Sequence, residues 1–408
     1  MSKYDDLFDE TAPGDSVFAD KAALDPLAAP ADIVARDTQE RQLAGLLNGV
    51  HEGYLPSTVS IYGPPGTGKT LTTRRVCREF AARIDEFAVE YVNLKECTTL
   101  FSAANEILFA LTGEKLGAYE GLDGVFDALW DALEGYPAWT VLLLDEIDRI
   151  LQDSNYDPSD FFYRLLRGEG RLQRDINLSV WVISNELLEV DLRVDSRVNS
   201  VLSNESVFFP PYDRAGLRAV LAPRVDRAFR DGALPDAVFA HGVSAAARQW
   251  GDARKAVTLF RQAGETAVDR GLDAVTRACL DENLAATERE AVIEKLLQLP
   301  LNHFRVLVGI TGWSDGESGT IKQPVTTGEI TDRLTRARVP AEFHLGARAV
   351  RDIVTDLETM GLVETWIESR GRDGRVKQIE TTFEPQWVRE AIDPYAEQSA
   401  EFDDVLVD

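Results

Sequence analysis

Cysteine, histidine and methionine are scarce in this chain of 408 residues, at three, four and two. Cys77, Cys97 and Cys279 lie far apart with no CxxC pair, and the histidines are scattered. That spacing argues against a disulfide framework or a zinc site and fits a reducing cytoplasm. No apolar stretch approaches the roughly 20 residues of a membrane-spanning helix. The opening, MSKYDDLFDE, is acidic where a secretory signal would be basic and then apolar. Lysine is rare too, at nine of the 43 basic residues.

Against those 43 bases stand 69 aspartates and glutamates, a net charge of −26. One reading is a soluble acidic protein that avoids nucleic acid. The other is a halophile's cytoplasm, where carboxylates keep the surface hydrated and repulsion is screened over roughly 3 Å at 1 M salt. The acidity is spread along the chain instead of forming one tail, which favours the second.

The length suits two or three domains. Residues 1–30, rich in Pro, Ala and Asp, predict a loosely ordered arm. From 31 to 210, apolar runs at 58–62, 87–94, 140–146 and 178–185 alternate with helical patterns. Short continuous apolar strands between helices predict an α/β domain with a parallel sheet covered on both faces. The prolines of FFPPYD (208–213) break the pattern. From 214 to about 284 the chain reads as helices only. Residues 286–392 predict helices at about 287–299 and 301–311, and a third that starts at Thr326 with Glu329 at capping-box spacing. A fourth carries Val350, Ile353, Val354, Leu357 and Met360 on one face, and a glycine-tipped β-hairpin follows. Helices followed by a hairpin describe a winged helix-turn-helix, with 393–408 left as an acidic tail.

The chemistry concentrates in the first domain. Gly63, Pro64, Pro65, Gly66, Thr67, Gly68, Lys69 and Thr70 match the phosphate-loop pattern GxxxxGK[ST], between a strand and a helix. Glycines let the backbone wrap an anion, Lys69 can reach the β/γ-phosphates of ATP, and the Thr70 hydroxyl can ligate Mg²⁺. Downstream, Leu142–Glu146 reads LLLDE. Asp145 at the strand's end can hold the Mg²⁺ hydration shell while Glu146 polarises the attacking water. Asn185 ends the next strand, beside Asp145, where an amide can orient water or sense the γ-phosphate. As an alternative, it is a strand-ending turn residue.

Together GPPGTGKT (63–70), LLLDEIDRI (142–150), ISN (183–185), DSRVNSVL (195–202), VFFPPYDRAGLRAVLAPR (207–224), WGDARKAV (250–257), TTGEI (326–330) and LETMGLVE (357–364) resemble archaeal origin-recognition (ORC/Cdc-type) DNA replication initiators of the AAA+ class. The resemblance runs collinearly over about residues 31–385. It implies a AAA+ base (31–210), a helical lid (211–285) and a C-terminal winged helix (286–392). It also implies ATP/ADP and Mg²⁺ as cofactors, slow hydrolysis, and double-stranded origin DNA, the replicative helicase and other initiator subunits as partners. By the same resemblance Tyr212 and Arg224 contact the nucleotide between base and lid, and Arg254 touches its β/γ-phosphates. Arg197 is either an arginine finger for a neighbouring subunit or paired with a nearby acid in its own chain. Such initiators place an extra DNA-contacting helix near 98–112, but here that stretch carries Glu106 and no arginine.

In the winged-helix segment, Arg348 and Arg351 flank the apolar face of the expected recognition helix. Arg370, Arg372, Arg375 and Lys377 crowd the hairpin tip, a basic island in an acidic chain. Basic residues where this fold docks DNA point to duplex binding, the helix in the major groove and the wing on phosphates and the minor groove. An ATP-binding transcription regulator and a divergent initiator paralogue share these features.

Overall fold

The computed structural model describes residues 16–28, 30, 32–147, 161–162, 164–165, 176–185, 205–312, 321–336, 345–369 and 375–398. The chain forms two compact units, Met1–Leu280 and Asp281–Asp408.

In the first unit α1 (Asp37–Asn48) precedes β1 (Thr58–Tyr62), and the phosphate loop leads into α2 (Lys69–Ala81). There follow β2 (Phe87–Asn93), α3 (Leu100–Thr112), α4 (Gly121–Leu133), β3 (Trp139–Asp145), β4 (Asn177–Ser184) and a short β5 (Ser206–Phe208). The five strands form one sheet in the order β2-β3-β4-β1-β5, and every pairing is parallel. Side chains alternate across a strand, so the run Val141–Leu144 feeds both faces. Val141 and Leu143 join Leu43, Leu47, Cys77, Trp181 and Ile183 on the side of α1 and α2. Leu142 and Leu144 join Val180, Val182, Ile107 and Phe126 on the side of α3 and α4. Two covered faces explain why these strands read as unbroken apolar runs. No strand is expected at β5, because three residues before a double proline carry no period.

The lid follows as α5 (Arg214–Ala228), α6 (Asp236–Gln249) and α7 (Ala253–Asp269). Leu217 and Leu221 of α5, Phe239 and Val243 of α6 and Val257 and Phe260 of α7 are buried. The expected loose arm differs from what is seen over its described part. Phe18 stacks on Phe229 at 5.1 Å, Arg230 N donates to Val17 O at 3.0 Å, and Ala19 N donates to Ala228 O at 2.7 Å. Val17 and Leu24 are fully buried. An Ala- and Pro-rich composition conceals this, because the anchors are a few isolated apolar residues.

One helix, α8 (Arg277–Leu297), runs through residue 285, where the lid was expected to end. In the second unit α9 (Leu301–Thr311), β6 (Val325–Thr326), α10 (Thr327–Arg336) and α11 (Ala347–Thr359) lead to the hairpin of β7 (Val363–Ser369) and β8 (Arg375–Thr381). The three strands form an antiparallel sheet ordered β6-β8-β7. Helices are thus followed by a hairpin that a short strand joins. Thr326 caps α10 reciprocally: Glu329 Oε2 accepts from Thr326 N at 2.7 Å, and Thr326 Oγ1 accepts from Glu329 N at 3.3 Å. Val350, Ile353, Val354 and Leu357 are buried as expected, but Met360 is 47% exposed, because α11 ends at Thr359. The expected tail from 393 begins inside the core. The helices α12 (Gln386–Glu390) and α13 (Ile392–Gln398) close the unit. Within α13, Tyr395 stacks on Phe304 at 4.0 Å and donates to Leu299 O at 2.7 Å.

Candidate nucleotide site

Three adjacent strands end at one place. β3 and β4 pair with Asp145 opposite Ile183, and β4 pairs with β1 with Ser184 opposite Tyr62. Their carboxyl ends therefore present Asp145, Asn185 and the phosphate loop side by side, where ligands of open α/β sheets bind.

The loop needs its glycines. Gly63, Gly66 and Gly68 have φ of 145°, 68° and 85°, a region that side chains with a Cβ avoid. A Cβ on Gly63 would overlap the Phe209 carbonyl, and one on Gly66 would overlap the Asp252 carboxylate. Gly68 precedes the first residue of α2, so the helix amide end opens into the loop. Lys69 is 7% exposed, and its Nζ donates to Gly63 O at 2.6 Å, Pro64 O at 3.0 Å and Asn185 Oδ1 at 3.2 Å. Thr67 Oγ1 donates to Pro64 O at 2.8 Å and tightens the turn.

Asp145, 6% exposed, gathers donors on both oxygens. Oδ2 accepts from Thr70 Oγ1 at 2.7 Å and from Tyr91 Oη at 2.9 Å, while Oδ1 accepts from Glu146 N at 3.0 Å. Burial and the neighbouring Asp145 charge push the Tyr91 phenol up to about 12. The next residue, half-buried Glu146, has φ of 58°, a left-handed backbone that is unfavourable for a side chain of its size.

The lid closes the other side of a cavity of about 790 Å³, lined by Gly66, Gly68, Lys69, Thr70, Asp145, Glu146, Asn185, Tyr212, Arg224 and Arg254. Arg254 stands in the first turn of α7, which Asp252 caps by accepting from Arg254 N at 2.7 Å and Lys255 N at 3.1 Å. Burial raises the Asp252 pKa, against the pull of those amides. Tyr212 is 7% exposed, and burial raises its pKa, opposed by Arg36. Arg224 lines the cavity, but its guanidinium is engaged: it donates to Ala23 O at 3.4 Å, Asp25 O at 3.0 Å and Ala28 O at 2.7 Å. It thereby holds the segment 22–28, whose Ala22, Ala23, Pro26 and Leu27 form an apolar wall of the same cavity.

Arg36 joins the site without any signal in the sequence. Its guanidinium lies 3.6 Å over the Tyr212 ring and donates to Thr67 O at 2.8 Å and Pro210 O at 3.0 Å. It ties the phosphate loop to the base–lid junction. No motif surrounds it, so only proximity reveals it. Arg197, Arg370 and Arg372 lie outside the described residues, and so does the Arg375 side chain. Arg348 and Arg351 are exposed on α11, and Lys377 pairs with Glu358 at 3.3 Å.

The donor set suits a magnesium-bound nucleoside triphosphate: a glycine cradle, a buried lysine, a threonine–aspartate pair and a lid arginine. Among the described residues no group of His, Cys, Asp and Glu offers a protein-only metal site, and no helix is long and apolar enough to cross a membrane.

Family models agree with the two halves of this site. Residues 55–188 match a AAA domain, and residues 218–282 match the Cdc6 AAA+ ATPase-type lid domain. An ORC1-type DNA replication protein 1 of Sulfurisphaera tokodaii is 30% identical over 400 residues, covering 96% of this chain and 97% of that one. An ORC1-type DNA replication protein of Thermococcus onnurineus is 32% identical, with 94% and 93% covered. The solved structure of the Aeropyrum pernix ORC1 protein in complex with DNA is 30% identical, with TM-score 0.67 over 94% of this chain and 99% of that one. With its AAA+ base, Cdc6-type lid and near full-length similarity, this chain belongs to the ORC1-type DNA replication protein family.

Proposed function

We propose that this protein is an ATP-gated DNA replication initiator. It binds duplex origin DNA through its winged helix, recruits the replicative helicase with other initiator subunits, and is reset by slow hydrolysis. The observation that carries the nucleotide half is the convergence of Lys69, Thr70, Asp145 and Asn185 at three strand ends, facing Arg254 of the lid. Lys69, the loop amides and Arg254 supply the positive field for the β/γ-phosphates. Glu146, whose amide donates to Asp145 Oδ1, is the residue assigned to take the proton of an attacking water. Thr70 and Asp145 are the residues that would hold a Mg²⁺ ion, which would supply counter-charge to the phosphates. Arg197 is proposed to complete the charge stabilisation from a neighbouring subunit, so the isolated chain should turn over slowly.

The DNA half rests on exposed Arg348 and Arg351 of α11, on Arg370, Arg372 and Arg375 of the wing, and on the DNA-bound relative. Lys377, engaged with Glu358, is a weaker candidate. In the salt-rich cytoplasm that the acidity suggests, counterion release contributes little, so binding rests on groove contacts and DNA shape. Fluorescence anisotropy at molar salt, with an origin-derived duplex and a scrambled one, tests this reading. We expect site-selective binding that depends on ATP and is lost when Arg370, Arg372 and Arg375 become alanine. Parent protein that treats both duplexes alike, with or without ATP, would overturn it in favour of a paralogue without origin activity.

A further inference from the structure

Tyr91 stands on β2 opposite Leu143, two residues before the Asn93–Asp145 pair. In a parallel pair that offset puts Tyr91 on the same sheet face as Asp145, within reach of an aromatic side chain. Its hydroxyl donates at 2.9 Å to Oδ2, the same carboxylate oxygen that Thr70 engages at 2.7 Å. Two neighbours fix the phenol. Asn93 Nδ2 donates to its oxygen at 3.3 Å, which directs the phenol's own hydrogen at the carboxylate. On the ring face, the Arg74 guanidinium from α2 lies 3.9 Å from the centroid. Thr70 and Arg74 belong to the same helix, so one rigid element clamps both ends of this chain of contacts.

We infer that Tyr91 is a positioning residue that holds Asp145 in the rotamer needed beside Thr70, and so sets the preference of the site for Mg²⁺-bound over metal-free nucleotide. The inference rests on the nucleotide-site reading above. Among the described residues, Oδ2 without the phenol keeps only the Thr70 hydroxyl, the group that must itself face the ion. A donor behind a metal-holding carboxylate typically changes metal affinity by about 10–100-fold when removed. The ring's packing under Arg74 does not depend on the hydroxyl, so Tyr91→Phe separates orientation from fold.

The test titrates Mg²⁺ into the full chain with a fluorescent ATP analogue, alongside the same binding measured in EDTA. Tyr91→Phe should need on the order of tenfold more Mg²⁺ for half-maximal binding, with affinity in EDTA unchanged. Asn93→Ala should shift the Mg²⁺ requirement in the same direction by less. Parent-like Mg²⁺ dependence in Tyr91→Phe overturns the inference, and so does an equal loss of affinity with and without Mg²⁺, which marks a merely structural role. If the parent itself binds the analogue without regard to Mg²⁺, the assignment of Thr70 and Asp145 fails first, and this inference falls with it.

Discussion

The carboxylate of Asp252 occupies the space that a side chain at Gly66 would need. The phosphate loop and the lid therefore meet at a point with no room for a methyl group. Gly66→Ala should be destabilising on two counts: a left-handed backbone at φ of 68°, costing about 1–2 kcal/mol, and displacement of the cap of α7, about 0.5–2 kcal/mol. In an Asp252→Gly background the second cost should disappear. Thermal unfolding of the four proteins of this double-mutant cycle measures the coupling. Equal costs of Gly66→Ala in both backgrounds would show that the contact carries no energy.

Lys69→Ala should abolish most ATP binding, because it removes the buried charge of the phosphate loop. Glu146→Gln should bind ATP like the parent and stop turnover, since only water activation is lost. Equilibrium binding with single-turnover hydrolysis distinguishes the two. Parent-rate hydrolysis by Glu146→Gln would remove that residue from its assigned role.

Arg224→Ala should weaken nucleotide binding through the wall it holds, without itself having touched the ligand. Released from Arg224, the 22–28 segment keeps its anchors at Phe18 and Val17 but loses three carbonyl contacts. Proteolysis within 22–28 should then accelerate in parallel with the loss of affinity. Lost affinity with unchanged proteolysis would return Arg224 to direct ligand contact.

The capping box of α10 gives a pH-dependent contribution. Burial pushes Glu329 up, but hydrogen bonds from Thr326 and the Lys322 charge outweigh it and leave the carboxyl below its ordinary value. A depressed acid stabilises the fold above its unfolded pKa, near 4.3, and that stability is lost as pH falls through the folded value. Glu329→Ala should cost about 0.5–1 kcal/mol at neutral pH, in keeping with a half-buried cap, and progressively less in acid. Thermal melts of parent and variant at neutral and acidic pH check this. A gap that persists in acid would place the energy in packing instead.

The sheet and the edge that carries the phosphate loop were legible because each rests on a local pattern. The runs 58–62, 87–94, 140–146 and 178–185 coincide with four strands to within one residue, since strands covered on both faces favour apolar residues, most completely in β3, where Thr140–Asp145 are all buried. The loop residues 63–70 are ordered by spacing, and the Thr326–Glu329 cap by its three-residue interval. Arg36 and Tyr91 could not be read the same way. A tyrosine in a strand is an ordinary β-former, and nothing in 87–94 shows that its hydroxyl meets Asp145 from the neighbouring strand. The N-terminal segment escaped for a similar reason. Its partners, Phe229 and Arg224, lie some 200 residues away in sequence, and composition carries no information about distant partners.

The left-handed backbone at Glu146 bears on how this protein would respond to selection in the laboratory. A glycine there would relieve roughly 1–2 kcal/mol of conformational strain. Libraries screened for heat resistance alone should therefore enrich Glu146→Gly, and under the role proposed for Glu146 the winners would be better folded and slower to turn over ATP. Any directed evolution of this chain that does not score hydrolysis in the same round would drift towards a permanently loaded, non-recycling protein.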